Sequence, residues 1–273
     1  MDLIDSHCHI QLINFLDESD LTAKMWQKLG LTLDQVVANA FDQDVKTLIV
    51  VGCNDQDSQL AVNEVRNRAN CYASIGIHPH EAEANYPEMP FIEHFQKLLD
   101  KKTNHKIVAI GECGLDYYYN KSTKTAQKAL LKVQLQLASE YNLPVIFHVR
   151  NAFMDFIDIY EEYANKVTGV LHSYTDSLIN LQTALKLNLY IGVNGIATFN
   201  KDPNTLAMFK AIPLNRLILE TDSPYLTPIP FRGRINEPKN IKVIAKFMAE
   251  LHNINYGSIA KTTTENARNF FKI

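Results

Sequence analysis

The sequence predicts an α/β fold, specifically a (β/α)8 TIM barrel. Short apolar runs rich in β-favouring residues alternate with longer segments of helical periodicity along the whole chain, which is the pattern of successive βαβ units. There are eight such runs, each followed by its own connection, and this number favours closure into a barrel. We therefore expect residues 1–273 to form a single barrel domain with its functional site at the carboxyl ends of the strands.

The predicted strands have continuously hydrophobic cores rather than alternating ones. Leu48–Val51 and Leu217–Leu219 are examples, and such runs are typical of parallel strands covered on both faces. An open doubly wound sheet is the rival fold, but eight strands with eight connections favour the barrel. The predicted strands are Leu3–His9, Val45–Cys53, Cys71–His78, Lys106–Glu112, Pro144–Val149, Thr168–His172, Leu187–Val193 and Arg216–Thr221.

The clearest predicted helix runs from Thr125 to Asn142. Its apolar residues recur at spacings of three and four, so one face packs on the sheet. Pro144 cannot continue a helix, and the next strand is expected to start there. After the eighth strand we expect a proline-rich loop over residues 223–238, then two further helices that end near Phe271.

The composition is that of an ordinary soluble globular protein, with 46% hydrophobic and 21% charged residues. The apolar runs are far shorter than the ~20 residues of a membrane-spanning helix. A net charge of −3 predicts no general attraction to nucleic acid. The start of the chain shows no secretory signal, so a cytoplasmic location is expected. The four cysteines, which form no CxxC pair, are expected to be reduced thiols.

Six side chains that commonly bind metals fall at the ends of the predicted strands. His7 and His9 lie two apart on the first strand and therefore face the same side. One such pair is a weak signal, because nine histidines in 273 residues give about 0.3 pairs by chance. The signal is strengthened by four more residues, each directly after the apolar run of a different strand: Glu112, His148, His172 and Asp222.

Six motifs follow one another along the chain: Asp5-Ser6-His7-Cys8-His9, Gly76-Ile77-His78-Pro79, Gly111-Glu112-Cys113-Gly114-Leu115-Asp116-Tyr117, Phe147-His148-Val149-Arg150, Leu171-His172-Ser173-Tyr174 and Leu219-Glu220-Thr221-Asp222-Ser223-Pro224-Tyr225-Leu226. In order and spacing they resemble the TatD family of metal-dependent deoxyribonucleases over almost the whole chain.

The resemblance implies an amidohydrolase-type barrel with two divalent cations per chain. By position, His7, His9 and Asp222 would bind one cation and His148 and His172 the other, with Glu112 between them. The metal remains open among Zn, Mg and Mn, because imidazoles suit zinc and carboxylates also accept magnesium and manganese. Asp222, with Glu112 as the second catalytic residue, would orient a water molecule and take its proton.

Three residues are candidate substrate contacts. Arg150 can offer a bidentate fork to a phosphate, or form an ion pair that fixes its loop. His78 resembles the family's substrate-contacting histidine, or only caps the loop that Pro79 stiffens. Arg232 either meets a nucleic-acid phosphate or is solvated surface.

Other polar residues near the strand ends are given supporting or surface roles. Glu220 can hydrogen-bond the imidazole of a metal ligand. The tyrosines at 117–119 are expected to wall the site, and base stacking is a minor alternative. We expect four histidines to be ordinary polar surface: His80, His94, His105 and His252.

Two functions remain open at this point. The first is a two-metal phosphodiesterase acting as an exonuclease on DNA or RNA, with nucleic acid as the partner that the resemblance implies. The second keeps the metal centre but hydrolyses another ester or amide, such as an aminoacyl ester or a lactone. A noncatalytic metal-binding protein is disfavoured by the complete set of six ligands. No membrane partner is expected.

Overall fold

The computed structural model describes residues 2–15 and 20–273, and its centre is one sheet of eight parallel strands. Each strand pairs with the next one along the chain, in the order β1 to β8. The predicted (β/α)8 barrel is confirmed. The strands are β1 Leu3–Cys8, β2 Val45–Val51, β3 Cys71–Ile75, β4 Ile107–Asp116, β5 Val145–Arg150, β6 Gly169–Leu171, β7 Tyr190–Val193 and β8 Leu217–Leu219.

The first and last strands approach each other at their carboxyl ends, which nearly closes the barrel. The backbone N–H of His9 donates to the carbonyl of Ser223 over 2.9 Å, and that of Asp222 donates to the carbonyl of His7 over 2.8 Å. The segment that leaves β8 is therefore fixed against β1. This closure places Asp222 beside the two histidines of the first strand.

Helices follow each strand and form the outer layer. The α-helices are α1 Leu21–Leu29, α2 Leu33–Asp42, α3 Asp55–Val65, α4 Ala82–Asn85, α5 Phe91–Leu99, α6 Lys102–His105, α7 Lys124–Glu140, α8 Phe153–Tyr160, α9 Leu178–Lys186, α10 Ile196–Phe199, α11 Pro203–Ala211, α12 Ile241–His252 and α13 Tyr256–Phe271. Short 3-10 helices span Ile10–Asn14, Pro79–Glu81, Leu214–Arg216 and Pro238–Asn240.

The longest helix, α7, matches the clearest helix predicted from the sequence. It begins after Thr123, whose side-chain oxygen accepts a hydrogen bond from the backbone N–H of Ala126. Such an N-cap satisfies one of the backbone donors that a helix start leaves unpaired. Two helices also follow the proline-rich loop after β8, as expected, and α13 ends at Phe271.

The two faces of the strands pack in different clusters. Neighbouring residues on a strand point to opposite faces, and one face packs with the helices in the larger cluster. The other face forms a separate cluster with the end of α13, which we call the inner apolar cluster. Its buried members are Ile4, Ile49, Val51, Val108, Ala109, Ile146, Val170, Ile218, Ala267, Phe270 and Phe271. The interior of the barrel is therefore a packed core up to the point where the strands end.

The cysteines and the helices can be compared with what the composition predicted. All four cysteines are free; Cys8, Cys71 and Cys113 are buried and Cys53 is partly buried. In the described part of the chain, none of the helices combines the length and the hydropathy needed to cross a bilayer.

Candidate metal centre

The structure brings the six predicted metal ligands together at the carboxyl ends of the strands. We call them the donor cluster: His7, His9, Glu112, His148, His172 and Asp222. All except His7 line a cavity of about 780 Å³, and His7 is fully buried. Because they lie on β1, β4 and β5 or in the segments that follow β1, β6 and β8, the barrel itself sets their relative positions.

One group of donor atoms comes from β1 and from the segment after β8. His7 Nε2 and His9 Nε2 are 3.3 Å apart, and they lie 3.8 and 3.3 Å from Asp222 Oδ1. His9 Nδ1 is 2.9 Å from the carbonyl oxygen of Val51. A proton on Nδ1 donates to that carbonyl and leaves Nε2 with a free lone pair. Two imidazole nitrogens and a carboxylate oxygen that converge in this way form a donor set suited to a divalent cation.

Glu112 lies between this group and a second one. Its Oε2 is 3.5 Å from His7 Nε2, whereas its Oε1 is 2.8 Å from His148 Nδ1 and 3.9 Å from His172 Nε2. Burial alone would raise the pKa of this carboxyl group, but the nearby histidines, His172 foremost, hold it well below its ordinary value. The carboxylate is therefore charged, and its two oxygens face two different sets of histidines.

His172 is oriented by Glu220, as the sequence predicted for a ligand imidazole. Its Nδ1 lies 2.9 Å from Glu220 Oε1, while its Nε2 faces Asp222 Oδ1 at 3.9 Å. Burial lowers the pKa of His172, but the charge of Glu220 and that of Glu112 outweigh it and raise the pKa to about 9. Glu220 is itself fixed by the backbone N–H of Ser173, which donates to Oε1.

Asp116 is a site residue that the sequence analysis did not single out. It is fully buried, and its Oδ2 lies 3.1 Å from His148 Nε2 and 2.9 Å from His80 Nε2. The strand β4 was predicted to end at Glu112, but it continues to Asp116 because residues 113–116 pair with β5. The signal that could have found it was its place in the motif from Gly111 to Tyr117, four residues after Glu112.

The prediction that His80 is ordinary polar surface is wrong. Its side chain lines the large cavity and contacts Asp116, because the 3-10 helix Pro79–Glu81 carries it back over the ends of the strands. The second His-x-His pair, at 78 and 80, therefore belongs to the site as well.

His78 presents a hydrogen-bond donor to the cavity. The backbone N–H of His80 donates to His78 Nδ1 over 3.1 Å, so a neutral ring carries its proton on Nε2. Burial, helped by the nearby His148, keeps the pKa of His78 well below its ordinary value, and the ring is neutral. The protonated Nε2 lies 3.8 Å from Glu112 Oε1 and has no lone pair for a metal.

The two arginines predicted to contact substrate lie in different places. Arg150 is exposed and lines the cavity, and its guanidinium lies over the rings of Tyr118 and Tyr119, at 4.1 and 4.7 Å from their centroids. Arg232 lies on the loop after β8, where it stacks on Phe199 at 3.9 Å and is outside the described lining of the cavity. Arg150 therefore lines the same cavity as the donor cluster, whereas Arg232 does not belong to the described lining.

Comparison with known proteins shows likenesses over nearly the whole chain. Residues 4–272 match the sequence family described as TatD related DNase. The chain is 35% identical over 273 residues to the uncharacterized metal-dependent hydrolase YabD of Bacillus subtilis (strain 168), covering 99% of both chains. It is 32% identical over 247 residues to the 3'-5' ssDNA/RNA exonuclease TatD of Escherichia coli (strain K12), covering 88% of this chain and 93% of that one. The crystal structure of YJJV, a TatD homolog from Escherichia coli K12, superposes with a TM-score of 0.85 and 26% identity over 99% of this chain and 98% of the other.

Proposed function

The chain belongs to the TatD family of metal-dependent hydrolases, and we propose that its reaction is the stepwise removal of nucleotides from an end of DNA or RNA. The observation that carries the proposal is the position of Glu112, whose two carboxylate oxygens face two separate sets of histidines. That arrangement suits a pair of cations, and two-cation sites serve phosphodiester hydrolysis in many enzymes. We place this activity in the cytoplasm, as the sequence predicts.

We propose that the donor cluster binds two divalent cations. His7, His9 and Asp222 would hold one, and His148 and His172 the other, with Glu112 shared between them. Four imidazoles and two carboxylates suit zinc or manganese, and the carboxylates also accept magnesium. When bound, such cations neutralise charge on the phosphoryl oxygens and lower the pKa of a water molecule at the site.

The side chains of this chain supply the remaining parts of the reaction. The carboxylate of Asp222 orients the attacking water and takes its proton. The water oxygen forms a bond to phosphorus, the P–O bond to the sugar oxygen of the adjoining nucleotide breaks, and that oxygen takes up the proton that Asp222 accepted. The neutral ring of His78 keeps its proton and donates a hydrogen bond from Nε2–H to a phosphoryl oxygen. Arg150 offers its guanidinium edge to the neighbouring phosphate. Arg232 stays a predicted contact for a strand that reaches the loop after β8.

The test assays the metal-reconstituted protein on four substrates. We expect single-stranded DNA and RNA carrying a label at one end to be shortened one nucleotide at a time. The comparison substrates are a p-nitrophenyl phosphodiester and an aminoacyl-tRNA. EDTA should abolish the reaction without altering the circular dichroism spectrum, because the apolar core does not depend on the metal.

A matched variant excludes a contaminating nuclease. Glu112→Gln, purified in the same way, should leave the strands intact, whereas Glu250→Gln on the exposed face of α12 should behave as the original protein. Intact nucleic acid together with rapid hydrolysis of the aminoacyl ester would contradict the proposal and support the alternative substrate class.

A further inference from the structure

A second cavity lies directly beside the one that holds the donor cluster. It has a volume of about 710 Å³, and the two cavities share Val149, Arg150 and Thr175 in their walls. Arg150 is the last residue of β5, two positions after His148. A linear ligand bound at the donor cluster can therefore continue past Arg150 into the second cavity without leaving the surface.

Two exposed tyrosines flank the passage between the cavities. Tyr119 lines the first cavity and Tyr118 the second, and their side chains are 53% and 57% exposed. Their backbone N–H groups both donate to Asp116 Oδ1, over 3.0 and 2.9 Å. The segment that carries the rings is thus fixed to the carboxylate that contacts His148. Aromatic rings that are held in place but remain open to solvent are suited to stack against nucleobases.

One cationic side chain in the wall of the second cavity is suited to bind a phosphate group of a nucleic-acid backbone. The guanidinium of Arg150 lies over the Tyr118 ring, which leaves its N–H groups available to an anion. Two carboxylates also line this cavity. Asp155 is compensated by Lys128 at 2.7 Å, and Asp176 accepts a hydrogen bond from Asn180. Lys124 also lines this cavity, with its Nζ 4.1 Å from the centroid of the Tyr117 ring. The cavity therefore offers two cations, each over an aromatic ring, rather than a uniformly basic groove.

An exposed apolar side chain completes the surface. Met154, near the start of α8, is 67% exposed and lines the second cavity together with Tyr117 and Tyr118 of the loop after β4. Apolar and aromatic surface together with a single guanidinium suits a base and its phosphate, because a base needs a flat apolar contact on its face and the phosphate needs a charge-assisted donor.

We propose that the second cavity binds the nucleotides that follow the one being removed, with a base against Tyr118 and its phosphate at Arg150. This inference rests on the proposed function and restricts its substrate to single strands, since a base in a duplex is stacked on its neighbours and cannot offer its face to a protein ring. Activity should therefore increase with strand length until the second cavity is filled.

The test measures kcat/KM for deoxythymidine oligomers of increasing length and for a p-nitrophenyl phosphodiester, which is too small to reach Tyr118. For the unchanged protein we expect kcat/KM to rise by about tenfold or more from the dinucleotide to the hexanucleotide, as base stacking contributes on that scale. Tyr118→Ala should remove most of this rise and leave hydrolysis of the small diester within about twofold. Tyr118→Phe, which keeps the ring, should retain the rise. Tyr86→Ala, an exposed tyrosine outside both cavities, is the matched control.

Binding gives a readout that does not depend on turnover. With EDTA-treated protein, fluorescence anisotropy of a labelled hexanucleotide should show a Kd raised about tenfold by Tyr118→Ala and unchanged by Tyr86→Ala. The inference is overturned if kcat/KM does not vary with length, or if Tyr118→Ala lowers activity equally on the oligomers and the small diester, because the tyrosine would then only support Arg150. If strands of every length stay intact while another ester is hydrolysed, the proposed function fails and this inference fails with it.

Discussion

Ile146 and His148 lie two positions apart on β5 and face the same side of the barrel wall, but their surroundings differ completely. Ile146 belongs to the inner apolar cluster, whereas His148 lies between the carboxylates of Glu112 and Asp116. The same step occurs on the neighbouring strand, from Val170 in the inner apolar cluster to His172 in the donor cluster. One continuous face of the barrel interior therefore changes from apolar to ionisable within a single residue pair.

This difference separates stability from function along the strand axis. Apolar side chains packed at high density stabilise the fold, whereas buried charged groups cost free energy unless charges or hydrogen bonds compensate them. Burial of the donor cluster costs free energy of folding, and such a cost is typical of functional sites. Substitutions in the two clusters should therefore change different measurable quantities, and four variants test this separation.

The largest expected effect is that of Glu112→Gln. The amide keeps the volume but loses the charge between the two sets of histidines, so kcat/KM should fall by at least about a thousandfold, equivalent to about 4 kcal/mol. The metal content should also fall, which elemental analysis of the purified variant would show. The urea midpoint of the metal-free protein should stay close to that of the unchanged chain; a collapse of the fold would place Glu112 among the stabilising residues instead.

Ile146→Ala tests the other half of the same face. The substitution leaves a cavity in the inner apolar cluster and should lower the free energy of unfolding by about 3 kcal/mol in urea titrations. Under native conditions kcat should change less than about twofold, because the donor atoms are not touched. Ile179→Ala is the matched control, since that side chain is 71% exposed and its loss should have little effect on stability. An equal loss in both variants would remove the contrast.

Asp222→Asn addresses the proton transfer within the donor cluster. The substitution is nearly isosteric and keeps one coordinating oxygen but loses the basicity, so kcat should fall by about a hundredfold or more, equivalent to about 2.7 kcal/mol. Asp158→Asn on the exposed face of α8 is the control. Metal occupancy must be measured in the same preparation, because weaker metal binding would imitate a chemical defect. Near-normal kcat in the fully metallated variant would assign the proton to another group.

His78→Ala should have the smallest effect of the four. A residue that donates a hydrogen bond to the substrate but holds no metal should mainly raise KM, by about tenfold, or about 1.4 kcal/mol. The metal content should be unchanged, because the His78 Nε2 that faces the cavity carries a proton. His94→Ala on α5 removes a partly exposed histidine that contacts Asp55 and serves as the control. A loss of metal from His78→Ala would make His78 a ligand.

The sequence predicted the apolar half of this comparison well because the signal there is local. All eight strands were found from continuous hydrophobic runs, and the cores of the strands agree with the structure. The donor residues were found for a related reason, because each directly follows such a run. The assignment of residues 1–273 to a single hydrolase domain, and the role of each donor residue, stay predictions.

What the sequence missed lies where the chain geometry is set by other segments. The extension of β4 to Asp116 depends on pairing with β5 after an irregular step between Ile110 and Cys113, and no local pattern announces it. His80 reaches Asp116 only because the loop after β3 folds back over the barrel. Which ring nitrogen of His78 or His9 faces the cavity depends on contacts with backbone groups that are known only from the structure.

The central claim is that the donor cluster holds two cations that share Glu112, and anomalous diffraction from crystals grown with zinc or manganese tests it most directly. The account predicts two anomalous peaks about 3.5–4 Å apart, one beside His7, His9 and Asp222 and the other beside His148 and His172, each about 2 Å from an oxygen of Glu112. Glu112→Gln crystals should lose at least one of the two peaks. A single peak at full occupancy, or peaks that avoid Glu112, would contradict the account.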